Sequence, residues 1–251
     1  MAARPSPLPQ PRGAHPVKAV ILCGGRGSRL APYTSILPKP LLPVDGRPVL
    51  EIILAHLVRH GVQEATLAVG HLADLVMAYF GDGSRFGLPI SYSRETRPLG
   101  TAGPLSGIPG LTGTFLVMNG DILTDLDLGA MAAAHRASGA LLTLATHTRH
   151  IPIPLGVADS APDGRLARFQ EKPVHSFQAC AGIFLMEARV LEFIPPATPL
   201  DMPALIQSLL DAGEDVRCHP FSGLWQDIGR PDDLARASSG DPAPPAPASL
   251  P

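Results

Sequence analysis

The sequence has little of several residue types whose abundance marks whole classes of protein. Its three cysteines, Cys23, Cys180 and Cys218, lie far apart and form no C-x-x-C pair, so they indicate neither a disulfide framework nor a zinc site. No apolar run is long enough to span a bilayer. The net charge of −2 comes without the basic block that nucleic-acid binding needs. These absences predict a cytoplasmic protein with no nucleic-acid or membrane partner.

Lysine is scarce as well, since only three of the 20 basic residues are lysines. Lys39 and Lys172 each stand directly before a proline, in PKP and EKP. A lysine ammonium is a compact point charge, and it meets a phosphate oxygen differently from an arginine fork. Lys39 and Lys172 are therefore candidate phosphate ligands, with chance placement as the alternative. Lys18, beside the N-terminal tail, is expected to be an ordinary surface lysine.

The remaining pattern predicts one α/β domain between two proline-rich ends. Residues 1–16 and 238–251 are expected to be a disordered arm and a disordered tail. Between them, apolar strand-like runs alternate with helical patterns, which predicts a single Rossmann-like domain over residues 17–237 with a mostly parallel central mixed sheet. The predicted strands of the first half are 17–23, 64–70, 89–93 and 114–121, and the predicted helices are 48–61, 71–81 and 201–213.

The first predicted strand runs into a glycine-rich loop, CGGRGSRL. Gly24, Gly25 and Gly27 allow backbone N–H groups to converge on an anion at the carboxyl end of a strand, where such sheets bind ligands. The loop is not a dinucleotide-binding fingerprint, because Leu30 occupies the third glycine position, and no G-K-[ST] closes it as in a P-loop. The residues alone leave a phosphate cradle and an ordinary tight turn both open.

Two carboxylates follow strand-like runs in distant parts of the chain. Asp121 ends the run FLVMNGD, and Asp227 lies in WQDIG. Carboxylates from two strand ends could converge on one hard, oxygen-liganded cation such as Mg²⁺. A single Asp after a strand is more often a turn residue or a helix cap, so both interpretations stand at this point.

These motifs occur in an order that resembles a known family. GGRGSRL and PKPLLPV are followed by VGH (69–71), PLGTAGPL (98–105), FLVMNGD (115–121), FQEKP (169–173), AGIFLM (181–186) and WQDIGRPDD (225–233). The series is similar to that of sugar-1-phosphate nucleotidylyltransferases, also called NDP-sugar pyrophosphorylases, and covers residues 17–237. The resemblance implies the nucleotide-diphospho-sugar transferase (GT-A-like) fold. It also implies that an NTP and a sugar 1-phosphate give an NDP-sugar and pyrophosphate, with Mg²⁺, by in-line attack on the α-phosphorus.

The resemblance further implies what individual residues bind. The residues that would bind the nucleotide are Leu22, Gly24, Gly25, Gly27, Glu95, Gly100 and Thr101. The residues that would supply catalytic charge are Arg29 and Lys39 on the nucleotide phosphates and Lys172 on the sugar phosphate. The residues that would hold the sugar phosphate are Gly156, Glu171 and Lys172, and those that would hold Mg²⁺ are Asp121 and Asp227.

The identity of the base depends on Glu95. The segment ISYSRETRPLGTAGPL (90–105) resembles that of mannose-1-phosphate guanylyltransferases, whereas thymidylyl and uridylyl relatives have a glutamine five residues before the glycine that matches Gly100. A carboxylate only accepts hydrogen bonds, so Glu95 suits the N–H and NH₂ donors of guanine. GTP is therefore favoured. The alternatives are UTP, dTTP or CTP, with Glu95 as an exposed loop residue, and a non-catalytic protein that senses sugar nucleotides.

The sequence departs from the family pattern on the sugar side. Cys180 stands where many relatives have the asparagine of Asn-Ala-Gly, and Pro154 and Leu155 precede Gly156 in place of the common aromatic residue. A heptose or amino-sugar 1-phosphate is therefore as open as mannose 1-phosphate. The chain also ends soon after WQDIGRPDD, where many relatives continue into a left-handed β-helix, so no second activity is expected. A homo-oligomer is left open.

Overall fold

The computed structural model describes residues 18–239. The proline-rich ends that were expected to be disordered lie outside the described residues, apart from residues 238 and 239, which close the last helix. The helices are α1 (Val49–Arg59), α2 (Ala73–Phe80), α3 (Leu128–Ser138), α4 (Met202–Asp211) and α5 (Pro231–Ser239). The strands of the first half are β1 (Lys18–Cys23), β2 (Pro43–Val44), β3 (Arg47–Pro48), β4 (Glu64–Val69), β5 (Ile90–Arg94), β6 (Thr114–Asn119) and β7 (Ile122–Thr124). Those of the second half are β8 (Leu142–Pro152), β9 (Val157–Ser160), β10 (Leu166–Gln170), β11 (Val174–Glu187), β12 (Val216–Phe221) and β13 (Trp225–Asp227). Short 3₁₀ helices lie at Ser28–Leu30, Tyr33–Ser35, Lys39–Leu41, Ser84–Phe86, Gly103–Gly107 and Ala188–Phe193.

Seven strands form the main sheet, in the order β12–β8–β11–β6–β1–β4–β5. Only β11 runs against its neighbours, and the other pairs are parallel. Central parallel strands are buried on both faces, which explains why β1 reads as the continuous apolar run KAVILC and does not alternate. The predicted α/β domain with a mostly parallel mixed sheet is confirmed.

The predicted helices are present with shorter bounds. α1 begins after Pro48 and ends before Gly61, because the left-handed φ of +76° at Gly61 is incompatible with a right-handed helix. α2 begins at Ala73, two residues later than predicted, because Leu72 has a left-handed φ of +52°. Pro203 lies in the first turn of α4, where a missing N–H costs no helical hydrogen bond.

Among residues 18–239, no helix has the length and apolarity that crossing a membrane would require.

Each face of the sheet is covered by its own apolar cluster. Helices α1, α2 and α3 pack on one face, where Leu54 and Leu67 are fully buried. Helix α4 and two of the 3₁₀ helices cover the other face, where Phe115 and Leu205 are fully buried. Because such cores are close-packed, they fix the positions of the strand ends and of the side chains that follow them.

Four parallel strands end side by side, at what we call the carboxyl edge of the sheet. The register aligns the ends of β1, β4, β5 and β6 with one another. The chain leaves these four ends at Gly24, Gly70, Glu95 and Gly120. Residues from four separate motifs are thereby brought to one edge.

Strands β8 and β11 continue beyond this edge as a two-stranded ribbon, which we call the arm (residues 147–180). One of its rungs pairs Arg149 with Phe177, and β9 and β10 form a hairpin at its far end. Most side chains of the arm are exposed, including Leu155 and Phe169. The arm is therefore held by backbone pairing and has no core of its own.

Candidate active site

The glycine loop after β1 is folded back on itself. Gly27 has a φ of +61°, and Thr34 Oγ1 donates to its carbonyl at 2.8 Å. A Cβ on Gly27 would lie 2.9 Å from Thr34 Cγ2, so a larger residue would not fit. The following 3₁₀ turn buries Leu30 completely, and this anchors the turn from which Arg29 projects.

The loop also touches the turn that follows β4. The His71 N–H donates to the Gly24 carbonyl at 3.2 Å, and a Cβ on Gly70 would lie 2.8 Å from that oxygen. Leu22, near the end of β1, is partly buried. Beyond its chain neighbours, no described atom lies within 4 Å of the Cβ position of Gly25. Gly25 therefore borders open space, whereas Gly24 and Gly27 are packed against Glu95 and Thr34.

Glu95 directly follows β5, and its carboxylate lies beside Gly24. The Glu95 N–H donates to the Val69 carbonyl at 2.8 Å, and its Oε2 accepts from the Leu99 N–H at 3.0 Å. A Cβ on Gly24 would overlap Glu95 Oε1. Burial raises the pKa of Glu95, while the bond from Leu99 opposes that rise. Glu95 is therefore a partly buried, positioned side chain and not the exposed loop residue of the alternative interpretation.

Gly100 and Thr101 pack against the start of α4. Gly100 has a φ of +77°, and a Cβ there would lie 2.5 Å from Asp201 Oδ1. The Thr101 N–H donates to that same oxygen at 3.2 Å, and Thr101 Oγ1 accepts from the Met202 N–H at 2.7 Å. The side chain of Thr101 thus caps a helix, so binding of a nucleotide by these two residues remains a prediction about their backbone.

A small two-stranded sheet brings the two predicted metal carboxylates together. Strand β13 pairs antiparallel with β7, so that Asp227 lies opposite Ile122. The Ile228 N–H donates to the Asp121 carbonyl at 2.9 Å and extends this pairing by one step. Asp121 and Asp227, which are distant in sequence, therefore lie side by side at the carboxyl edge.

Lys39 lies between these carboxylates. Its Nζ forms an ion pair with Asp121 Oδ2 and lies 3.9 Å from Asp227 Oδ1, and only 13% of its side chain is exposed. Burial, and then the charge of Asp121, raise the pKa of Asp227, whereas Lys39 and Arg29 oppose the rise. A Cβ on Gly229 would lie 3.3 Å from both Arg29 Nη2 and Asp227 Oδ1, so glycine at this position admits both groups.

Two oxygens of this cluster are suited to a cation. Asp121 Oδ1 and Asp227 Oδ1 are both buried and accept no hydrogen bond from the described residues, a costly state for a carboxylate oxygen. Within residues 18–239, no group of three or more His, Cys, Asp or Glu side chains could hold a metal ion. Mg²⁺ is usually held by only one or two carboxylates, with waters and substrate phosphates completing its shell. The pair therefore fits the predicted ion.

The predicted sugar residues come together at the far end of the arm. A Cβ on Gly156 would lie 3.0 Å from Glu171 Oε2 and 2.6 Å from Phe169 Cζ. Lys172 has a left-handed φ of +44°, and its N–H donates to the Leu155 carbonyl at 3.2 Å. Its Nζ lies 3.9 Å from Glu171 Oε1. The strained backbone turns the exposed side chain of Lys172 beside that of Glu171.

The structure adds contacts at the edge that the residue patterns did not single out. Trp225 Nε1 donates to the Ala181 carbonyl at 2.9 Å, which seats the indole under the start of the AGIFLM motif. Gly182 has a φ of +72°, and a Cβ there would lie 2.6 Å from Asn119 Nδ2. The only available signals were compositional, because Trp225 and Asn119 are each the single residue of their type in the chain.

The chain is similar in sequence to a known family and to several of its members. The family model described as "Nucleotidyl transferase" matches residues 18–243. The chain is 35% identical to a UTP–glucose-1-phosphate uridylyltransferase from Synechocystis sp., an alignment that covers 89% of the chain and 63% of that protein. It is 33% identical to a mannose-1-phosphate guanylyltransferase from Mycobacterium tuberculosis, covering 90% and 64%. It is 34% identical to a glucose-1-phosphate thymidylyltransferase from Streptomyces griseus, covering 87% and 64%. The chain thus spans less than two thirds of the length of these relatives.

Solved structures share the fold. A putative glucose-1-phosphate thymidylyltransferase from Bacillus anthracis, in complex with a sucrose, superposes with a TM-score of 0.71 at 25% identity, covering 89% of this chain and 94% of that one. HddC from Yersinia pseudotuberculosis, complexed with GMP-PN, gives a TM-score of 0.69 at 21% identity, covering 89% and 99%. The second likeness concerns the fold alone.

Proposed function

Because the chain belongs to the nucleotidyl transferase family, we propose that it transfers a nucleotidyl group from an NTP to a sugar 1-phosphate. The products are an NDP-sugar and pyrophosphate. The observation that carries the proposal is the cluster of Lys39, Asp121 and Asp227 at the carboxyl edge, beside the glycine loop. Sheets of this type bind ligands at that edge, and the cluster combines a cation for phosphate with carboxylates for Mg²⁺.

The two substrates are held by different residues. Arg29 and Lys39 stabilise the negative charge of the NTP phosphates. Glu171 and Lys172 hold the sugar 1-phosphate, so that one of its phosphate oxygens lies in line with the α-phosphorus. That oxygen is largely ionised at neutral pH, because the second pKa of a phosphate monoester is about 6, and no general base is required. The protein contributes positioning and charge neutralisation.

Asp121 and Asp227 are the residues that would hold Mg²⁺, which supplies further neutralisation of phosphate charge when bound. The contribution of the chain is to keep Asp227 ionised and both carboxylates oriented. Lys39 and Arg29 do this by opposing the rise in the pKa of Asp227 that burial and Asp121 cause. The pairing of β7 with β13 fixes the spacing of the two side chains.

The base is proposed to be guanine. Glu95 Oε2 already accepts from the Leu99 N–H, which orients the carboxylate, and Oε1 borders Gly24 in the glycine loop. An acceptor-only group suits the N–H and NH₂ donors of guanine, whereas uracil and thymine present one donor between two acceptors, which suits an amide better. Relatives named for uridylyl, guanylyl and thymidylyl transfer have similar identities to this chain, so the proposal for the base rests on Glu95.

The test is pyrophosphate release by the purified protein with ATP, CTP, GTP, UTP and dTTP. Each nucleotide is paired with the 1-phosphates of mannose, glucose, glucosamine and heptose in the presence of Mg²⁺. GTP is expected to give a kcat/KM about tenfold or more above that of the pyrimidine nucleotides. In Glu95→Gln, the ratio of GTP to UTP activity is expected to fall, because an amide adds a donor where guanine needs acceptors.

Glu192→Gln is the matched control, since Glu192 is exposed and lies in a 3₁₀ helix away from the carboxyl edge. A wild-type preference for UTP or dTTP would contradict the proposal for the base. If no pair of substrates gives pyrophosphate although nucleotide sugars still bind, the protein is a non-catalytic sensor.

A further inference from the structure

Arg149 lies on the arm next to Trp225, the only tryptophan of the chain. Its Cζ lies 5.4 Å from the centroid of the indole ring, within the range of a cation–π contact. His147, two residues earlier and on the same face of β8, stacks on this indole with 5.8 Å between ring centroids. The indole is therefore bordered by an imidazole and a guanidinium, both supplied by the arm.

The indole that Arg149 contacts belongs to β13, the strand that also carries Asp227. The bond from Trp225 Nε1 to the Ala181 carbonyl fixes the ring at the carboxyl edge. Trp225 and Asp227 are alternate residues of β13, so their side chains leave the same face of that strand. Arg149 thus contacts a residue that lies two positions from Asp227, on the same face of β13.

Arg149 also lies between that cluster and the proposed sugar residues. Its rung of the arm pairs it with Phe177, while Gly156 and Lys172 lie further out, where the Lys172 N–H donates to the Leu155 carbonyl. A sugar 1-phosphate whose phosphate is held by Lys172 and faces the carboxylate cluster would pass Arg149 on this stretch of the arm.

The charge of Arg149 is not neutralised by the protein. Within residues 18–239, no carboxylate lies at ion-pair distance from it, and its side chain is exposed. Arg94, Arg165, Arg189 and Arg217, which are also exposed, each pair with an Asp or a Glu. A planar guanidinium that rests on an aromatic ring and has no acidic partner can bind a phosphate through two parallel hydrogen bonds.

We propose that Arg149 binds the phosphate of the sugar 1-phosphate, together with Lys172. The inference rests on the proposed function, because it names a further substrate contact of the same site. Trp225 supplies the surface on which the guanidinium rests, and it is a positioning residue.

The single tryptophan provides a direct measurement, because its emission reports on binding beside Arg149. Wild-type protein is titrated with mannose 1-phosphate, glucose 1-phosphate, GDP-mannose and UDP-glucose in the presence of Mg²⁺. At least one of these probes is expected to change the emission to saturation. In Arg149→Met the ligand concentration at the midpoint of the titration is expected to rise about tenfold or more, because a charge-assisted hydrogen bond is lost. The midpoint of Arg149→Lys should lie between those of the wild type and Arg149→Met, because lysine keeps the positive charge but cannot form two parallel hydrogen bonds.

Arg217→Met is the matched control, because Arg217 is an exposed arginine near the amino end of β12, opposite the carboxyl edge. Its midpoint should equal that of the wild type. In steady-state assays, Arg149→Met should raise the KM for the sugar 1-phosphate about tenfold and the KM for the NTP less than about twofold.

An unchanged midpoint and an unchanged KM in Arg149→Met would overturn the inference, and so would a wild-type emission that responds to none of the four probes. The proposed function fails separately. A wild-type protein that binds GDP-mannose or UDP-glucose through Arg149 but releases no pyrophosphate would leave the contact in place and remove the reaction.

Discussion

The two halves of the candidate site are built in different ways. The nucleotide half stands at the ends of four core strands, and Lys39 is almost buried there. The sugar half stands on the arm, where the side chains of Glu171 and Lys172 are 64% and 68% exposed. Close packing fixes the first half before any ligand arrives, whereas the second is held mainly by backbone pairing. The difference indicates a rigid proposed centre for phosphate chemistry beside a proposed sugar site whose contacts depend on a few exposed side chains.

The same difference affects how charges contribute to stability. The exposed pair of Lys172 and Glu171 is screened by water, so it contributes little to the free energy of folding. The pair of Lys39 and Asp121 is mostly shielded from water, and removal of either partner leaves the other charge poorly compensated. Substitutions in the nucleotide half should therefore act on both chemistry and stability, and those in the arm mainly on substrate binding.

The largest effect is expected for Asp121→Asn. An amide has no charge to offer Mg²⁺ and leaves Lys39 without its nearest carboxylate, while Asp227 remains 3.9 Å away. We expect kcat to fall by about three orders of magnitude, equivalent to about 4 kcal/mol of transition-state stabilisation, in assays of pyrophosphate release. The far-ultraviolet circular dichroism spectrum should stay that of the wild type.

Asp45→Asn provides the matched control for this experiment. Asp45 is exposed and has a φ of +49°, which asparagine adopts readily, so the same chemical change is made outside the site. It should leave kcat unchanged. Near-normal turnover by Asp121→Asn would show that the reaction does not require the carboxylate of Asp121.

A smaller and more selective effect is expected for Lys172→Ala. Loss of a charged contact to the sugar phosphate should lower kcat/KM for that substrate about 100-fold, while the KM for the NTP changes less than about twofold. Because Lys172 has a φ of +44°, alanine keeps the backbone strain that lysine already carries there.

Lys172→Asn tests whether this backbone strain matters, since asparagine tolerates a left-handed backbone better than lysine or alanine and carries no charge. Equal losses in the two variants would assign the effect to the ammonium group. A loss confined to Lys172→Ala would assign it to the backbone, and a rise in the KM for the NTP in both variants would break the division between the halves.

Much of the nucleotide half could be predicted because its signals are local. The apolar run of β1 and the glycines after it lie within a few residues of one another, and the parallel sheet follows from the alternation of strands and helices. The start of α2 was misplaced because no pattern around Leu72 announces its left-handed φ. The meeting of Asp121 with Asp227 depends on the pairing of β7 with β13, so the residues alone left a metal site and two turns both open.

The sugar half was less predictable because its contacts depend on register between distant strands. That Arg149 lies opposite Phe177 and over Trp225 follows from the pairing of β8 with β11 and from the position of β13. A shift of one residue would have turned Arg149 to the other face of the arm. Composition gave only the scarcity of lysine, which directed attention to Lys172 and not to Arg149.

The smallest expected effect is on the pH dependence of the free energy of unfolding, to which a buried histidine of the core contributes. His56 lies in α1, is only 4% exposed, and has no partner for Nε2 among the described residues. Burial, and then the neighbouring His60 and Arg59, lower its pKa from 6.5 to about 4. Between these two values the unfolded chain binds a proton that the folded protein does not bind, so the stabilising contribution of neutral His56 is present above pH 6.5 and is lost as the pH falls toward 4.

Urea unfolding at pH 7 and pH 5 measures this contribution. Wild type should lose about 2 kcal/mol more unfolding free energy between these pH values than His56→Gln, whose side chain does not titrate. His175→Gln, the same chemical change at an exposed position of the arm, is the control, and its free energy of unfolding at pH 7 should equal that of the wild type. Equal losses in the wild type and His56→Gln would mean that folded His56 accepts a proton as readily as an unfolded one. Burial in α1 would then leave no trace in the pH dependence of stability, and the contrast between the two halves of the site would rest on the packing of the strands and on the pair of Lys39 and Asp121.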